Sequence, residues 1–329
     1  ISSSTFKLGA DGDLTASNAL FSSVRIIGGA KDNSVIGEDL DVPSFVGGGD
    51  LHSILNSKGS FLGGGTSNVI SSSAGSSNIY NAIVGGSSGS ISISSSFNFV
   101  GGGFQNTIRG PVEMEGTDIG GNTMMKFSAI VGGDRNTIER RSFGSTIIGG
   151  RQNLITGVPV SSSIFLFNGN PTASVNRSSE DSLIAGGKDN TLFDARQSII
   201  VGGDGNVLSG SINSLIGGGD TNLLYRSPHS MILGGKQNRL WHNNNTDNQI
   251  IGKNLVGGGE SNFLYNSAQS SIVGGFKNVI TGSFGSAILG GAFNQLTASH
   301  GSVILGGGYT TVALNKPTDF GHPMIGRGN

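Results

Sequence analysis

SIIVGGDGNVL (198–208), SLIGGGDTNLL (214–224) and SMILGGKQNRL (230–240) are one pattern written three times at a spacing of 16 residues. It returns as SSIVGGFKNVI (270–280) and SAILGGAFNQL (286–296). Taking the first Gly of each pair as position 0 gives fifteen units, from Gly28 through Gly202, Gly218 and Gly234 to Gly306. The base spacing is 16, and every departure is longer. Position -2 is Ile, Val or Leu in all fifteen units, Ile200, Ile216 and Ile232 among them. Position +6 is aliphatic in fourteen, with Ser34 the exception, and position -4 is Ser or Asn in fourteen, with Val24 the exception. Position +4 is Asn in eleven: Asn68, Asn106, Asn136, Asn153, Asn190, Asn206, Asn222, Asn238, Asn262, Asn278 and Asn294. Asp32, His52, Gly89 and Thr310 stand in the remaining four.

Such a unit reads as a short strand, a Gly-Gly corner, a second short strand and a connection. Two adjacent Gly would cost about 2 kcal/mol relative to Ala inside a helix, in every unit. The β-branched bias at -2 favours strand. One unit cannot bury its own apolar side chains, but stacked units bury them as ladders. The sequence therefore predicts an all-β fold: a β-solenoid or β-roll of about 15 rungs of about 16 residues. At ~4.8 Å per rung it makes a rod of roughly 70 Å. The Asn column is expected to be structural, turning the corner in a left-handed conformation and hydrogen-bonding along the stack. Two aliphatic columns make a thin core. Oligomerisation remedies a core that is too small, and three chains around one axis would pool their ladders. A homotrimeric rod, intertwined or side by side, is expected, with a self-contained monomeric roll as the alternative.

Composition narrows the function. The chain has 329 residues, of which 58 are Gly, 12% are charged and none is Cys, with a formal net charge of -1. Near-neutrality excludes a general electrostatic affinity for nucleic acid or anionic membranes. Without Cys there is no disulfide framework or thiolate metal site. No run of ~18 apolar residues offers a transmembrane helix, so no membrane insertion is expected. A start at Ile1 without a signal-peptide pattern suggests a processed or partial product.

The pattern Ser-φ-Ile-φ-Gly-Gly-x-x-Asn-x-Ile, where φ is an apolar residue, resembles the head repeats of YadA-like trimeric autotransporter adhesins. It is similar also to Gly-Gly-rich repeats of phage and giant-virus fibre proteins. The resemblance implies a stacked β fold, a trimer, and a fibre or adhesin on a virion or cell surface. The adhesin repeats are shorter and carry a single Gly. In the fibre proteins such repeats often precede a self-cleaving chaperone, and the terminal MIGRGN (324–329) reads as a degenerate last rung of a cleaved product.

Three parts are expected: a connector or cap at 1–23, the repeat domain at 24–312, and a degenerate C-terminal rung at 313–329. Long connections at 71–80, 109–127, 156–181 and 241–253 all leave between +6 and the next -4, so they share one corner of the rod. Insertions on one face of a solenoid often mark its binding face. Position +7 opens that corner and holds Phe193, Tyr225, Trp241 and Tyr265. Aromatic faces beside polar groups suit sugar rings and their hydroxyls. The candidate glycan or receptor contacts are Tyr225, Trp241, His242, Asn244, Tyr265, Phe165 and Phe167; covering the ladder or a trimer seam is the other use for such rings. The carboxylate pairs Glu113 with Glu115 and Glu180 with Asp181 have no constellation around them, so no catalytic residue is assigned. His52, His229, His242, His300 and His322 lack metal-ligand spacing. No metal or cofactor is called for. The expected function is a rigid, extracellular or virion-surface rod that presents loops to a glycan or protein receptor. A polysaccharide depolymerase spike and a self-assembling filament are the alternatives.

Overall fold

The computed structural model describes residues 26–27, 32–36, 44–72, 78–92, 95–110, 125–140, 142–157, 179–243 and 252–313. It is all-β among those residues. Two 15-stranded parallel sheets run side by side, each adding strands in sequence order without a crossover. The first sheet takes two residues per rung, as at Ile199–Ile200, and the second takes three, as at Val207–Ser209. The chain is therefore a parallel β-solenoid. Its register follows the repeat: Ile200 pairs with Ile216 and Ile216 with Ile232, while Leu208 pairs with Leu224 and Leu224 with Leu240.

The pairing corrects the frame of the first unit. Ile27, not Ile26, aligns with Val46 of the next rung, and Val35 aligns with Ile54. Gly29 is thus the position-0 residue there, which places Asn33 at +4 and Val35 at +6. The apparent exceptions Asp32 and Ser34 come from counting one residue early in the run Ile26-Ile27-Gly28-Gly29, while position -4, now Arg25, still departs from its Ser or Asn column. Asn33 makes the bonds of its column: its amide donates to the Gly49 carbonyl at 2.8 Å and its Oδ1 accepts the His52 N–H at 2.9 Å.

The interior of a rung holds five side chains. The aliphatic pair at -2 and +6 is fully buried within a single chain, as Ile200, Leu208, Ile216, Leu224, Ile232 and Leu240 show. Beside it lie the Asn at +4, the Ser or Asn at -4, and a Ser seven residues before the Gly corner, such as Ser211 and Ser227. Within the chain, the thin aliphatic core is completed by polar ladders. Apart from Ser302, whose buried Oγ has no partner, these Ser and Asn side chains pair groups of their own or a neighbouring rung, most of them backbone, which is the condition for burying them without penalty. Ser214 Oγ, for example, accepts the Ser230 N–H at 3.3 Å and donates to the Ser227 carbonyl at 3.2 Å.

The Asn column is the most regular of these ladders. Asn222 Nδ2 donates to the carbonyls of Gly218 and Gly235, both at 2.9 Å, and Asn222 Oδ1 accepts the Asn238 N–H at 3.0 Å. Two donors and an acceptor on one short side chain explain why Asn recurs where Asp or Ser would leave a group unpaired. The expected left-handed turn exists but sits one residue earlier. Position +3 has positive φ in every described rung, on residues as unlike as Ser67, Gln105, Arg135, Thr221, Lys277 and Tyr309. The left-handed residue turns its N–H back towards the preceding rung: Thr221 N donates to the Asp204 carbonyl at 2.8 Å, whereas Asp220 N points forward to the Gly235 carbonyl at 2.9 Å. Bonds to rungs on both sides hold a conformation that costs roughly 1–2 kcal/mol for a non-Gly residue.

The two Gly of the corner have different reasons. Gly203, at +1, has φ 91°, and a Cβ there would overlap the Gly219 carbonyl oxygen and the Asn206 amide. Gly202, at 0, would place a Cβ in open space. Position 0 takes a positive φ only at Gly102, Gly218 and Gly258 (155°, 147° and 159°); at the other described units from Gly48 to Gly306 nothing inside the chain demands Gly there.

Candidate functional site

The long connections leave the rod at one corner, and the structure narrows the point of departure. In a regular rung, +8 is followed at once by the residue seven before the next Gly, as Gly210 is followed by Ser211. The connections depart between these two points. Thr156 and Gly157 close one rung, and the chain rejoins at Ser179, whose Oγ donates to the Thr156 carbonyl at 2.8 Å. The ladders continue across every gap: Ile147 pairs with Ile184 and Ile232 with Val256 as if adjacent. The interiors of the connections, including Asn244, Phe165, Phe167, Glu113 and Glu115, lie outside the described residues, as do 1–23 and the segment from 314 onward.

Of the candidate binding residues, the structure brings Tyr225, Trp241 and Tyr265 together. They occupy the same outward position of three successive strands, Tyr225 in register with Trp241 and Trp241 with Tyr265. Strand spacing sets them ~4.8 Å apart along the rod. The Tyr225 and Trp241 ring centroids lie 4.9 Å apart at 43°. The Arg226 guanidinium sits 5.0 Å from the Tyr225 ring, and Tyr265 packs on Phe263 at 5.7 Å. Trp241 stays 37% exposed. The three residues form a ridge that borders the departure point of the 241–253 connection.

His242 follows the ridge. Its backbone N–H donates to the Tyr225 carbonyl at 3.0 Å. Its Nδ1 is buried without a hydrogen-bond partner, and burial holds its pKa below the ordinary value. Asn243 N donates to Asn266 Oδ1 at 2.7 Å, so the base of the connection is tied to the next rung. Ring faces, a guanidinium and backbone polar groups along a linear ridge can stack against sugar rings and bond their hydroxyls.

His52 occupies the Asn column. Its Nδ1 accepts the Asn68 N–H at 3.2 Å, as an Asn Oδ1 would, while Nε2 is buried without a partner. Burial lowers its pKa, although the bonds to Asn68 and Gly48 and the nearby Asp50 act against that. Glu180 is half-buried and Asp181 exposed at a corner, where Asp181 takes φ 49° and its N–H donates to the Phe143 carbonyl. Among the described residues no group of three His, Asp or Glu side chains is placed to hold a metal ion.

Two surface features escaped the sequence reading. One is a second aromatic group on the Gly-Gly corner. Phe293 and Tyr309 stack at 4.9 Å and 3°, Phe276 meets Phe293 edge-on at 5.3 Å, and Lys277 Nζ lies 4.9 Å from the Phe276 ring. Its members fall at +2 and +3, columns that vary too freely to attract notice. The other is the outward face of the first sheet, at -3 and -1, apolar along nearly its whole length. Its signal stood beside the Gly pairs but was masked by the stronger columns at -2 and 0.

No family model matches the chain, and no curated protein matches it.

Proposed function

We propose that the chain is the shaft of an extracellular or virion-surface fibre or adhesin, a rigid rod of associated copies that recognises surface glycans along its insertion corner. The observation that carries this reading is the coincidence of two features. The ladder runs unbroken through every long connection, and an exposed aromatic ridge borders the point where one of them leaves. A solenoid whose core ignores its insertions is a scaffold for presenting them. Three chains per rod remains the preferred assembly, in keeping with the resemblance to trimeric adhesins and fibre proteins. The ligand is a chain of pyranose units, each stacking on one ring of the ridge.

Glycan-array binding of the whole chain tests the ligand. Specific binding that falls at least tenfold in Trp241→Ala, with β-type circular dichroism unchanged, is the expected result. No glycan binding, or binding indifferent to both Trp241→Ala and Tyr225→Ala, removes the glycan assignment. If Trp241→Ala abolishes the fold, the ridge is a structural seam and the ligand lies elsewhere.

A further inference from the structure

The geometry points to the outer face of the first sheet as the surface on which a second copy of this chain docks, along the full length of the rod. This inference rests on the associated-rod reading and names the face that would do the associating. The face consists of positions -3, -1 and 0. Across the fourteen units from Gly48 to Gly306 these positions hold no Asp, Glu, Lys or Arg, and Thr146 and Ser271 are their only polar residues. Charges begin two residues on, with Asp134, Arg151, Lys188, Asp204 and Lys236 at +2. Wherever -1 is larger than Ala it is solvent-facing and 44–50% exposed, as with Val84, Ile148, Val201, Leu233 and Leu305.

At some rungs the sizes at -3 and -1 compensate. Phe45, Phe61 and Phe99 stand before Gly47, Gly63 and Gly101, and each ring edge lies over its Gly. Ala82 and Ala129 stand before Val84 and Val131. At other rungs, such as Ile199 with Val201 and Met231 with Leu233, both positions are large, and the strip stays apolar along nearly its whole length. Beside it runs the position-0 Gly column, which, apart from the positive-φ Gly102, Gly218 and Gly258, has no steric reason inside the chain. Gly kept where its own fold does not require it is explained by another backbone approaching closely from outside.

The dimensions fit one occupant. Thirteen inter-rung steps at ~4.8 Å and three residue steps at ~3.3 Å give a projected strip of roughly 600 Å². That stands at the top of the ~300–600 Å² range for the largest apolar patch of a typical monomer. It approaches the ~800 Å² per partner of a stable interface. A partner must keep pace with the rung spacing over the whole length, and a second copy of this chain does so by construction.

The test is the solution mass of the whole chain by light scattering, with circular dichroism recorded alongside. The wild type is expected as an assembly, near 67 kDa for two chains face to face or near 100 kDa for three chains of 33.4 kDa sharing this face around one axis. Val201→Lys with Leu233→Lys, both outward-facing, should give 33.4 kDa with the β spectrum retained. Val207→Lys with Val279→Lys, outward on the second sheet, should leave the assembly whole. Gly234→Ala, which meets nothing within 4 Å in its own chain, should raise the dissociation concentration at least tenfold. It decides the matter if the Lys pair fails to fold. An assembled wild type that ignores the first-sheet pair and Gly234→Ala overturns this face while self-association stands. A wild-type mass of 33.4 kDa overturns both.

Discussion

Asn222→Ala removes one member of the Asn ladder, and its cost can be worked out bond by bond. The Asn238 N–H loses its acceptor at 3.0 Å and has no other partner within the rung. A buried donor left unpaired costs about 1–3 kcal/mol. The carbonyls of Gly218 and Gly235 each lose a bond of 2.9 Å, though Gly235 keeps the Asp220 N–H. Two lost bonds at about 1 kcal/mol each bring the total to about 3–5 kcal/mol. A solenoid rung contacts only its neighbours, so the loss should stay local. Native-state hydrogen exchange at the Asn238 amide is the direct assay. At about 1.4 kcal/mol per tenfold, exchange there should accelerate between about a hundredfold and a few thousandfold. Amides three or more rungs away should hardly change. Asn222→Asp keeps the acceptor but loses both donors and sets a charge against two carbonyls, so it should be at least as damaging. Acceleration below tenfold at Asn238, or a tolerated Asp, would refute the assignment of these three bonds.

Several other outcomes follow from the same rungs. Ile200→Asp puts a charge into a fully buried column and should abolish cooperative unfolding near its normal temperature in a thermal scan. Gly203→Ala should destabilise by more than 2 kcal/mol in denaturant titration, because its Cβ meets the Gly219 carbonyl at φ 91°. In the same titration, run in the Lys-substituted single-chain background, Gly202→Ala should change stability by less than about 1 kcal/mol. His52 has its pKa lowered by burial, so the unfolded chain binds the proton more readily. Its contribution is complete above about pH 6.5 and is lost as pH falls from there towards the lower folded pKa. His52→Asn should remove that acid sensitivity, read as the pH dependence of exchange at the Asn68 amide. Excising 158–178 shortens the 37-residue spacing between Gly149 and Gly186 to 16 and joins Gly157 to Ser179, whose neighbours already touch. The excised chain should keep its β spectrum and a melting temperature within a few degrees of the parent.

The columns most legible in the sequence were those with one physical duty. The -2 and +6 positions must be aliphatic because they are enclosed on every side, so Ile200 and Leu208 announced themselves through composition alone. The Asn at +4 was equally plain, yet its two candidate duties could not be separated by reading. The coordinates assign it the ladder bonds and give the left-handed turn to +3, where Thr221, Lys277 and Tyr309 share nothing but backbone conformation. A residue constrained only in φ leaves no compositional trace when neighbouring rungs hold it in place. The first unit was misframed for a related reason: in Ile26-Ile27-Gly28-Gly29 each residue type is doubled, and only the pairing of Ile27 with Val46 breaks the tie.

The expected trimer began from a deficit of core, and the structure answers that deficit inside one chain. Ser214, Asn222 and Ser227 fill with hydrogen-bonded polar groups the volume that two aliphatics per rung leave open. The reason to associate therefore moves from the interior to the surface. An interior completed by polar ladders can be stable and still leave Val201, Leu233 and Leu305 half in water, in a strip free of charge. Were that strip only the back of a solitary rod, a Lys or Glu in place of any one of them would improve solubility at little cost to the ladder. No unit from Gly48 to Gly306 has one there, while +2, two residues beyond the Gly at 0, carries charge repeatedly. The contrast lies within a single rung, so it cannot come from overall composition. The Lys pair at 201 and 233 tests whether that charge-free face is the one on which copies associate.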